Sequence, residues 1–81
     1  MNMEKAIEIV KAMVAEIYKD LDEVQSSYGK TRPDSIYDVE YRRLLEKMHD
    51  RLITKSVALN DVLRELNKAK EASEGIVDKG V

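Results

Sequence analysis

The side chains best suited to chemistry lie near the middle of the chain. His49 is the sole histidine, and Glu46 stands three positions before it. Residues three apart share one face of a helix, so this pair sets a carboxylate and an imidazole side by side. Such donors suit a first-row metal such as iron or zinc. Glu16, with Asp20 one helical turn on, could add carboxylates from an earlier segment. A second group gathers around a turn: Lys30, Arg32, Tyr37, Tyr41 and Arg42, with Tyr28 just ahead of them. Rings and cations of this kind can hold a partner or a nucleotide by stacking and by phosphate pairing. Nucleophilic catalysis has little to build on, with one His, no Cys and no Ser or Thr in a recognisable setting. The expectation is a protein that is not an enzyme and has no resident cofactor.

The elements that must position these groups are helices. Met3, Ile7, Val10, Val14, Ile17, Leu21, Val24 and Tyr28 recur at alternating steps of four and three, one stripe of a helix. Asn2 is a plausible N-cap. Gly29 stands where a left-handed C-terminal residue is wanted, with Pro33 soon after. The spacing predicts a first helix over about 3–28. Residues 29–35, GKTRPDS, are the one strong turn signal, and Ser35 with Asp38 reads as a capping box. A second helix follows over about 36–74. Its seam reads Tyr41, Leu45, Met48, Leu52, Lys55, Leu59, Val62, Leu66, Ala69, with leucines every seven residues at 45, 52, 59 and 66. That is the spacing of a leucine zipper and equally of an ordinary bundle helix. Lys55 interrupts the seam, so a break near 54–56, giving three helices, is an open alternative. Gly75 is expected to end the helix, making residues 1–75 one domain and 76–81 a flexible tail.

Two family resemblances attach to the same residues. Glu46-x-x-His49, with Glu16 and Asp20 near its level, resembles the half-site of the two-helix encapsulated ferritins, which complete a di-metal centre by pairing hairpins. It implies metal at Glu16, Glu46 and His49. The run Pro33-Asp34-Ser35-Ile36-Tyr37-Asp38-Val39-Glu40-Tyr41-Arg42-Arg43-Leu44-Leu45 resembles the N-terminal helical hairpin of NAD-dependent DNA ligases, which binds the nicotinamide mononucleotide half of NAD. It implies ligand contacts from Asp38 and Tyr41. Arg42 replaces that family's aspartate, the loop is one residue longer, and no adenylated-lysine motif is present. Gly29-Lys30-Thr31 ends like a phosphate-binding loop, but Val24 stands where the earlier glycine is required and the segment ends a helix rather than opening one.

Composition narrows the class further. Fourteen Lys and Arg against sixteen Asp and Glu argue against a dedicated nucleic-acid binder. Residues 2–27 carry three Lys and six acids; residues 28–43 carry four basic groups and three acids. With no Phe, no Trp and one Pro, a β fold is disfavoured. No apolar run approaches the ~20 residues of a membrane span, and the start of the chain lacks a signal-peptide pattern. The absence of Cys fits a reducing cytoplasm.

The fold expected is all-α, an antiparallel hairpin of two helices that pairs with a second copy as a four-helix bundle. A flush hairpin sets residue 28 beside residue 38, Val14 against Leu52 and Ile7 against Leu59, and leaves Leu63, Leu66 and Ala69 overhanging. Ile9 and Met13 then come level with Ile53 and Val57, one apolar patch for self-association. Eighty-one residues without disulfides need such a staple. The function expected is that of a small interaction or regulatory protein, a homodimer that binds a protein partner. Phages and mobile elements encode accessory factors of this size.

Overall fold

The computed structural model describes the backbone of residues 2–79 and the side chains of residues 2–73. Two helices build it, α1 (Met3–Gly29) and α2 (Ile36–Lys79). Arg42 lies over Tyr28 at the turn end, and Lys70 Nζ lies 3.7 Å from Glu4 Oε1 at the far end, so the helices run antiparallel. The hairpin is a rod with extents 68 × 18 × 15 Å. Among the described residues no helix is long and apolar enough to cross a membrane.

The caps follow local chemistry. Asn2 Oδ1 accepts the Lys5 N–H at 2.7 Å, which satisfies an orphan donor at the start of α1. The other end departs from expectation. Gly29 is inside the helix, no described residue has a positive φ, and the cap is Lys30 in the right-handed region. The final carbonyls are met without a left-handed residue: Lys30 N–H reaches Ser27 O, while Thr31 bonds Tyr28 O through both N–H (3.1 Å) and Oγ1 (2.7 Å). Ser35 opens α2, with its Oγ accepting the Asp38 N–H at 3.3 Å. The Asp38 carboxylate does not reach back to Ser35; it accepts the Arg32 N–H at 2.6 Å and ties down the loop.

Helix α2 is continuous through residues 54–56 and through Gly75. Of the expected tail, residues 76–79 extend the helix and residues 80–81 lie outside the described ones. No break is needed at Lys55 because that side chain is not in the seam; it is exposed. The seam of α1 is the predicted one, with Ile7, Val14, Ile17, Leu21 and Val24 buried. The seam of α2 keeps the leucines but turns the other way. Arg42, His49, Leu63 and Lys70 are half-buried and Ser56 is buried, whereas Tyr41, Met48, Lys55, Val62 and Ala69 are exposed. Each leucine of the seven-residue repeat can pair with a neighbour four positions before or three before. Apolarity favours the first edge, and the hairpin uses the second.

The register is also displaced. Arg42, not residue 38, lies beside Tyr28. The first turn of α2 therefore projects past the end of α1, and Ile36 and Tyr37 are 82% and 87% exposed. The pairs Val14–Leu52 and Ile7–Leu59 shift with it by about one helical turn. Lys70 reaches Glu4, so Leu63 and Leu66 pack in the hairpin rather than overhanging it.

Candidate functional site

A one-layer hairpin has two broad faces, each formed by one flank of α1 and one of α2. At the turn, the groups expected to converge are divided between them. Lys30 and Arg32 are exposed on the loop. Asp38 is occupied by the Arg32 N–H. Tyr41 lines one face with Asp20 and Glu23 of α1, and Arg42 lines the other with Tyr28 and Glu46. A common nucleotide pocket is therefore not formed by Lys30, Arg32, Tyr37, Tyr41 and Arg42.

The rear face carries a compact cluster. The Arg42 guanidinium carbon lies 4.5 Å from the Tyr28 ring centroid, within the range of a cation–π contact worth about 0.5–1 kcal/mol where solvent reaches it. Tyr28 OH donates to Glu46 Oε1 at 3.2 Å. Arg42 Nε is buried with no hydrogen-bond partner. Glu46 and His49 flank a shallow groove of about 280 Å³ with Gln25, Tyr28 and Asp50. His49 Nδ1 is 3.8 Å from Asp50 Oδ1. Further along, Asn60 Nδ2 donates to Tyr18 OH at 3.4 Å.

Glu16 is on the opposite side of the rod. It shares a shallow depression with Met13, Lys55 and Ala58. The helix thus separates Glu16 and Asp20 from Glu46 and His49, and among the described residues no group of three His, Cys, Asp or Glu side chains could hold a metal. The expected apolar patch is divided in the same way. Ile9, Met13, Ile53 and Val57 are all exposed. Ile53 is one turn from His49 and Val57 one turn further, on the rear flank with Asn60, whereas Met13 lies in front.

The front face has a regularity that the sequence reading passed over. On α1, Ile9, Met13, Glu16, Asp20, Glu23 and Ser27 follow one another at steps of four and three. On α2, Leu44, Met48, Arg51, Lys55, Ala58 and Val62 do the same. A groove of about 520 Å³ runs between the strips where Asp20 and Glu23 face Met48, Arg51 and Lys55. The missed residues are Leu44, Arg51, Lys55 and Ala58. Lys55 was the available signal: a lysine at the centre of a supposed apolar seam marks that edge as outward. Comparison with protein-family models, curated proteins and solved structures finds no match for this chain.

The grooves are shallow and open, and charged and apolar groups share the flanks that line them.

Proposed function

We propose that this chain is a non-enzymatic helical interaction protein of the cytoplasm that works as a homodimer and, as a dimer, engages a protein partner. One observation carries the reading. Helix α2 turns its more polar edge, with Arg42, His49 and Ser56, toward α1, and leaves its more apolar edge in solvent. Tyr41, Leu44, Met48 and Val62 are between 46% and 59% exposed. Tyr41, Leu44 and Met48 neighbour one another on the helix and Val62 lies beyond Arg51 and Lys55; exposed apolar groups clustered in this way favour an interaction site. At ~25 cal/mol per Å², covering them releases more free energy than any surface ion pair of the hairpin contributes. The exposed turn, with Lys30, Arg32 and Tyr37, is left for a partner.

The test is mass in solution. Light scattering at micromolar concentration is expected to give twice the 9.3 kDa of one chain. A folded monomer at that concentration, with full helical circular dichroism, defeats the reading.

A further inference from the structure

The front-face strips specify how two copies would meet. We propose that a second copy of this chain docks on the front face about a two-fold axis parallel to the helices, with both turns at the same end. This rests on the homodimer proposed above and adds its face, direction and register. Such an axis lays α1 of each protomer over α2 of the other, antiparallel and at the same height.

Matching of the two strips supports that arrangement. Within the hairpin, Met13 and Glu16 share one depression with Lys55 and Ala58, and Asp20 and Glu23 share one groove with Met48, Arg51 and Lys55. The two-fold axis carries each level onto the partner. Met13 then falls near the height of the partner's Ala58, with Ile9 one turn before it on the side of the partner's Val62. Glu16, Asp20 and Glu23 fall over the partner's stretch from Met48 to Ala58, which holds Arg51 and Lys55. Three acids thus oppose a segment of the strip with two cations and no acid, and every contact occurs twice, as an isologous interface requires.

Charge bookkeeping within the chain agrees. Glu16, Asp20, Arg51 and Lys55 form no ion pair or hydrogen bond through their side chains among the described residues. Elsewhere on α2, Arg43 pairs with Glu40, Arg64 with Asp61 and Lys68 with Glu65, while Lys47 forms no such pair among the described residues. The front charges are thus available to a partner. The alternative two-fold, with turns at opposite ends, stacks α1 on α1 and α2 on α2. Acids then oppose the acidic helix and cations the basic one, and juxtaposed like charges are costly. Apolar pairs supply affinity, and the charged middle sets direction.

Two variants and their mixture test this. The first chain carries Glu16→Lys and Asp20→Arg, the second Arg51→Glu and Lys55→Glu. Each alone is expected to dimerise about tenfold more weakly than the parent or worse. An equal mixture is expected to restore a heterodimer, seen by native mass spectrometry. Direction is read separately, on an otherwise unaltered chain. The sequence has no Cys, so Arg32→Cys takes a single spin label. Pulsed dipolar spectroscopy is expected to find the two turn labels well inside ~40 Å, the length of α1 at 1.5 Å per residue. Separation near or beyond that length puts the turns apart and overturns the proposal, as does a variant that self-associates like the parent. A parent chain that is itself monomeric refutes the dimer instead, so the two failures are distinct.

Discussion

Ser56 is the residue whose environment departs furthest from its type. It is 6% exposed at the middle of the interhelical seam, and its hydroxyl donates to Ile53 O at 2.8 Å. That carbonyl already serves the helix, so the extra bond contributes little, and Ser is a poorer helix former than Ala by about 0.5 kcal/mol. Ser56→Ala is therefore expected to raise stability by about 0.5 kcal/mol, a thermal shift of a few degrees by circular dichroism. A clear loss would mean that the bond to the Ile53 carbonyl contributes more than the helix propensity it costs. The residue scale is also where the sequence was least legible. Arg42 and His49 read as ligands, yet one is packed over Tyr28 and both lie along the hairpin seam. Their half-burial is not legible from residue type, because amphipathic side chains can lay apolar atoms along a seam while part of the polar group keeps contact with solvent.

At the scale of elements the reading was much closer. The stripe of α1, the Asn2 cap, the Ser35 start of α2 and the leucine spacing all follow from local rules of period and capping. What local rules do not contain is rotation: two edges flank the leucines of α2, and only packing against α1 selects between them. The register is not legible locally either: Asp38 accepts the Arg32 N–H within the loop, and Arg42, one turn further, is the residue that meets Tyr28. Gly29 is the other miss. It is helical, and a Cβ built there meets nothing within 4 Å. Gly29→Ala is expected to stabilise the hairpin by about 0.5–1 kcal/mol, measured as a higher urea midpoint with an unchanged slope. A lower midpoint would show that the helix end needs a left-handed residue after all.

For the whole molecule, the division of apolar groups between two faces makes the dimer proposal sharp. Met13 and Val62 belong to the front, Ile53 and Val57 to the rear. Paired lysine substitutions separate them. Met13→Lys with Val62→Lys is expected to halve the mass seen by light scattering. Ile53→Lys with Val57→Lys is expected to leave it unchanged, because the rear flank stays in solvent in the front-face dimer. The reverse pattern would move the interface to the rear and with it the cluster of Tyr28, Arg42 and Glu46.

The rod shape has a practical sequel. The chain's radius of gyration is 19.1 Å, against the ~12 Å that a compact sphere-like domain of this length would have. On a gel-filtration column calibrated with spherical standards, one such chain travels early, at the position of a heavier molecule. Two rods laid side by side gain thickness without gaining length, so their elution shifts less than a doubling of mass suggests. The axial ratio, more than molecular weight, governs where this protein emerges.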